Sequence, residues 1–216
     1  MNAQQLLDDM RPDIARSIES VEMVSRMRDG KAVPEQLQRL VTAEFCCQEA
    51  ELATYPLLVA QHRHAVPAGY FGLVVHTVAK ARALLGSVAQ SVGLEPDSLS
   101  IPADARTTSA MRSMTLAGVL TEPGEAALYL YSDLCVWCAV FSELAEAGRR
   151  QEQVPNPLIE YMEWWGSEPS QEIVEGTLDV IAYGLQRGES SDRMLSFARQ
   201  LPTAVAGYWE YVLDGE

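Results

Sequence analysis

Apolar residues recur along this chain at the three-to-four-residue spacing of a helix, and no stretch alternates as a half-buried strand does. The punctuation agrees. Pro12, Pro34, Pro67, Pro102, Pro123, Pro157 and Pro169 stand near expected helix starts, where a missing N–H costs little. Gly30, Gly93, Gly148 and Gly188 stand where helices are expected to stop. The reading is a chain of helices over about 2–28, 34–62, 66–92, 102–120, 123–148, 157–166, 169–187 and 191–213. Pro56 and Pro202 fall inside helical patterns and are expected to kink or break them. The longest loop signal is 95–102, and no repeat or low-complexity tract appears. The expected fold class is all-α, with residues 1–216 as a single domain.

Two helices carry polar residues where the pattern calls for apolar ones. In 34–62 the apolar stripe is Leu37, Leu40, Val41, Phe45, Leu52 and Tyr55. Glu44 lies three residues after Val41 and four before Gln48, so it sits on or beside that stripe. It is a candidate inward carboxylate that Gln48 can reach from the next turn; a charge at the stripe's margin is the structural alternative. Glu51 falls nearer the edge and Glu49 outside it, so both are expected to be solvated.

The second case is sharper. From Ala126 to Phe141 every face is apolar except at Ser132 and Asp133. A helix apolar all round is normally buried all round. A carboxylate in its middle must be paired, hydrogen-bonded or kept protonated. Such carboxylates are often structural, and they are also how active sites are made.

Composition narrows the function classes. The chain has 216 residues, 48% of them apolar, enough for a real core. Its formal charge of -14 argues against nucleic acid, which needs a basic face, and is compatible with small cationic ligands. No uninterrupted apolar run reaches the length of a membrane span. The N-terminus lacks the basic start and apolar segment of a signal peptide, so a cytoplasmic protein with reduced thiols is expected.

The four cysteines form two close pairs, Cys46-Cys47 and Cys135-x-x-Cys138. They read as small buried residues; a zinc site is weakly supported, because adjacent cysteines do not readily face one ion. His62 and His64 read as an exposed pair at a helix end, with a metal pair as the alternative. His76 reads as a core histidine and Asp179 as a solvent-facing residue. Tyr161, Trp164, Trp165, Tyr183, Tyr208, Trp209 and Tyr211 cluster towards the C-terminal half, as core or as walls of a ligand cavity. There is no Gly-rich phosphate loop and no nucleophile elbow. With three histidines, none after His76, a di-iron bundle is disfavoured.

From about residue 20 onward the chain resembles the TenA/thiaminase-II family of the heme-oxygenase-like fold. Asp29-Gly30-Lys31-Ala32-Val33-Pro34 followed by Val41-Thr42-Ala43-Glu44-Phe45 is similar to that family's turn, apolar helix and inward Asp that holds an aminopyrimidine ring. Glu44 takes the Asp position, and Cys46-Cys47 replace an aromatic pair. Pro123-Gly124-Glu125 leading to Asp133-Leu134-Cys135-Val136-Trp137 resembles the helix bearing the family's cysteine nucleophile. Counting from Glu125, or back from Ser142-Glu143-Leu144, puts Asp133 at that position; a Cys-x-Trp match puts Cys135 there. In the last helix, aligning Tyr208-Trp209 puts Val205 where the family has a catalytic Glu, whereas matching Tyr208-Trp209-Glu210-Tyr211 puts Glu210 there. The Asp133 and Val205 registers are preferred, and they count against ordinary thiamin hydrolysis.

Three readings stay open. The first is a cofactor-free enzyme of specialised metabolism acting on an amine-bearing or heterocyclic substrate. Its chemistry would be C–N hydrolysis, elimination or internal displacement. Asp133 and Glu44 would be catalytic, with Cys135 the reserve nucleophile if it faces the pocket with a lowered pKa. Tyr129, Trp137, Tyr208 and Glu210 are the expected substrate contacts, and no metal is expected. The second is a non-catalytic ligand-binding protein or partner subunit. The third is a true thiaminase II using Cys135 and Glu210. The expected partners are a small molecule such as a cationic amine, and copies of the chain or a different chain. Nucleic acid and membrane are not expected.

Overall fold

The computed structural model describes residues 1–95, 99 and 121–215. Its helices are α1 (Ala3–Glu19), α2 (Glu22–Arg28), α3 (Pro34–Gln61), α4 (Ala65–Ser91), α5 (Pro123–Gly148), α6 (Asn156–Trp164), α7 (Gln171–Gln186), α8 (Ser191–Ala198) and α9 (Leu201–Asp214). No strand occurs among the described residues. The helix expected at 102–120 lies outside the described residues.

Most boundaries fall within two residues of the expected ones, and local chemistry explains why. Asn2 accepts from the Gln5 amide while Gln5 accepts from the Asn2 amide, so each side chain satisfies a donor left over at the start of α1. Pro34 and Pro123 open α3 and α5. Gly30, Gly93 and Gly188 follow helix ends with φ of 70°, 80° and 90°, which a side chain would strain.

Two expected spans are divided. The 2–28 span breaks at Ser20-Val21, where Val21 is extended. The 191–213 span breaks ahead of Pro202, whose ring cannot continue the preceding turn. Pro12 and Pro56 instead lie within α1 and α3, which run through them. Both are exposed, so water can meet the carbonyl one turn back that loses its amide partner. Gly148, the last residue of α5, leaves room for a close neighbour: Val154 lies 3.1 Å from where its Cβ would stand.

α5 is the axis. It packs against α1, α2, α6, α7, α8 and α9, which consumes nearly every face of its apolar run. Leu128, Val136, Val140, Phe141 and Leu144 are fully buried. α3 packs on α4 and α9, and α4 also packs on α6 and α7. Arg39 and Gln36 donate to the Val212 and Leu213 carbonyls, fastening α3 to the end of α9. By length and composition α4 and α5 are apolar enough to cross a membrane, although polar residues interrupt both. The buried apolar side chains form one continuous cluster. Within it α3 and α5 face each other across a gap.

Candidate active site

That gap is a cavity with about 50 Å³ open to water centres. A single water needs roughly 10–15 Å³ on this measure, so several waters or a slender ligand fit. From α3 it is lined by Glu44, Cys47, Gln48, Glu51 and Tyr55, at helical intervals along one face. From α5 come Tyr129, Asp133 and Trp137, each four residues from the next, with Leu130 and Leu134 beside them. Val74, Val78, Trp165, Val205 and Tyr208 complete the wall.

Glu44 is 2% exposed and fully engaged. Its Oε2 accepts from the Tyr161 hydroxyl at 2.5 Å and from Gln48 Nε2 at 3.3 Å, and its Oε1 accepts from the Tyr208 hydroxyl at 3.1 Å. Burial nevertheless lifts its pKa to about 7; the Tyr161, Tyr208 and Trp137 donors hold it down and Asp133 pushes it further up.

Asp133 has the opposite surroundings. Its Oδ1 is buried and has no hydrogen-bond partner. Burial lifts its pKa to about 7 as well. Two more polar atoms on the cavity wall are buried without a partner: Gln48 Oε1 and the Tyr129 hydroxyl. Native interiors rarely leave polar atoms orphaned, so three on one wall mark a place where something polar binds.

A third carboxylate joins them. Glu51, expected to be solvated, is half-buried and lines the cavity, where it accepts from the Tyr55 hydroxyl at 3.2 Å. Burial first, then Asp133 and Glu44, raise its pKa well above the ordinary range. It follows Glu44 by seven residues, two turns along the same face, and that interval was the signal in the sequence. Glu49 does sit outside, paired with Arg82 at 3.0 Å. Among the described residues no group of three His, Cys, Asp or Glu side chains is placed to hold a metal ion.

Other candidates stand elsewhere. Cys135 does not line the cavity, and burial pushes its thiol up to about 11, so it meets neither condition for a nucleophile. Two residues from Asp133 on a helix is the far side of the turn. Glu210 is exposed and absent from the wall, while Val205, five residues back, is in it. Cys138 is buried with its Sγ 3.2 Å from the Trp165 carbonyl, and Cys46 is buried too. Cys47 faces the cavity, its thiol held protonated by burial. His76, expected in the core, is exposed, because its register falls on the outer face of α4. His64 is exposed, caps α4 through its Nδ1 and stacks on Tyr183; His62 is half-buried beside Phe71. Asp179 faces solvent.

No family model matches the chain, and no curated protein matches its sequence. A solved structure does match its fold. It is described as a TenA family transcription regulator from Silicibacter sp. TM1040, with a TM-score of 0.68, covering 98% of this chain and 96% of that one. The chain has the TenA-type fold. The all-α, heme-oxygenase-like architecture implied by the sequence resemblance is thereby observed. Identity to that neighbour is 12%, so the likeness carries the fold alone. The cavity itself holds three carboxylates, and Val205 stands in its wall.

Proposed function

We propose that this TenA-type protein is an enzyme that binds a small amine-bearing or heterocyclic molecule between α3 and α5 and acts on a C–N bond. The unpartnered Asp133 Oδ1, facing a Glu44 already held by three donors, carries the reading. The two carboxylates divide the work. Glu44, fixed in place, accepts an N–H of the ligand and orients it. Asp133 is free to take a proton, and a pKa of about 7 suits a group that must both accept and return one. In a hydrolysis, Asp133 removes a proton from water as the oxygen bonds to carbon, and it returns that proton to the departing nitrogen. Tyr129, Trp137 and Tyr208 supply flat walls for a ring or faces for a cation.

The test is product release from thiamin and from aminomethyl-aminopyrimidine, with direct binding measured in parallel. Asp133→Asn should retain binding and lose on the order of a hundredfold or more in turnover. Unchanged turnover would remove Asp133 from the chemistry. Binding without turnover in the unmutated protein would favour a ligand-binding role, a reading that Val205 in the cavity wall supports because it supplies no proton donor. The Silicibacter neighbour is described as a transcription regulator; a net charge of -14 disfavours phosphate binding by this chain.

A further inference from the structure

The three cavity carboxylates stand without a countercharge. No Lys, Arg or His contributes to the wall among the described residues. Among the described residues, no three acidic or ligating side chains are close enough to share one metal ion. A point charge therefore does not neutralise this site, and an extended one can. Glu44 and Glu51 lie two helical turns apart, a rise of about 10 Å along α3. Asp133 acts electrostatically on both across the gap.

The orphaned atoms indicate what the ligand must bring. Gln48 is 1% exposed, and its amide nitrogen is committed to Tyr161 and Glu44, which leaves Oε1 without a donor. Tyr129 is 5% exposed and its hydroxyl has no partner. Asp133 Oδ1 is in the same state. All three can accept, so the ligand they fit is rich in N–H donors. Tyr55, Tyr129, Trp137 and Tyr208 surround these acceptors, and aromatic faces favour cations when water is excluded.

We propose that the cavity takes an organic dication, with one charged nitrogen held between Glu44 and Asp133 and a second held at Glu51 beside Tyr55 and Tyr129. A linear aliphatic diamine has this form. The proposal rests on the amine-binding reading above and adds the second charge and the residue that selects for it. Glu51 acts as a specificity-determining residue, since it stands two turns from the Glu44 end.

Calorimetric titration of the full chain with hexamethylenediamine and with hexylamine tests it. The two probes have the same apolar length and differ by one charge. The diamine should bind roughly tenfold tighter or better. Glu51→Gln should erase that preference while leaving hexylamine affinity unchanged, and Glu51→Asp should keep part of it. Melting of each variant without ligand separates a folding defect from a lost contact. Equal affinity for the two amines, or an equal loss of both in Glu51→Gln, overturns the dication proposal and leaves the amine-binding reading standing. Binding of neither amine overturns both.

Discussion

The Tyr161 hydroxyl donates to Glu44 Oε2 at 2.5 Å and joins α6 to α3 behind the cavity. The same hydroxyl oxygen accepts from Gln48 Nε2 at 2.6 Å, so three residues on two helices form one closed set. The carboxylate at its centre is thereby positioned before any ligand arrives. Positioning of this kind distinguishes a recognition group from a mobile acid.

Tyr161→Phe removes the strongest brake on the Glu44 pKa, which then rises further above 7. Ligand binding should require a higher pH in the variant, and the fold should lose about 1–2 kcal/mol. A binding-versus-pH profile checks the first expectation and urea unfolding the second. An unshifted profile would mean that Glu44 need not ionise to bind.

Stability without ligand should fall as pH rises. Glu44 and Asp133 have folded-state pKa values raised to about 7, from ordinary values of 4.5 and 3.8. Their protonated forms favour the native state, so the contribution is fully present below about pH 4 and is lost progressively as pH rises through 7. Each carboxylate removes on the order of 3 kcal/mol by pH 8. Asp133→Asn should therefore raise stability at both pH values, and by roughly twice as much at pH 8 as at pH 5. Denaturant midpoints at the two pH values read this out.

Cys135→Ser should leave binding and turnover within roughly twofold of the unmutated protein. The residue lies off the cavity and its thiol stays protonated near neutral pH. Loss of turnover in this variant would return the nucleophile position to Cys135.

Gly184→Ala should destabilise α5 from a distance. A Cβ there would come within 2.5 Å of Glu189 Oε1. Glu189 Oε2 accepts from the Gly124 amide at 2.9 Å, at the N-terminus of α5, so displacing it frees a donor at that helix start. The expected cost is about 1 kcal/mol, measured by thermal unfolding. An equal melting temperature would show that Glu189 can move without giving up the cap.

Much of the site was legible along single helices. Asp133 stood out because an all-apolar run tolerates no unexplained carboxylate, and Glu44 because it sits on a stripe. Glu51 was misjudged for a related reason. A stripe's edge is solvent only if nothing packs beyond it, and here the opposite helix places a cavity there. His76 failed in the other direction: its apolar neighbours in sequence face the core while it faces out. The Cys135 and Glu210 registers were separated by angle about the helix axis, which spacing within a motif does not weigh.

Periodicity, prolines and glycines by themselves determined that this chain is helical, where most helices begin and end, and which two helices carry anomalous acids. These are local properties, set by the backbone and by neighbours within a turn or two. Only the tertiary structure decided that Glu44, Glu51 and Asp133 share one cavity, that Tyr161 and Tyr208 clamp one of them, and that Asp133 Oδ1 stays unpartnered. Those facts depend on how α3, α5, α6 and α9 meet, across separations of up to 164 residues in sequence. Burial, which lifts both pKa values to about 7, belongs to the assembled helices and to none of them alone.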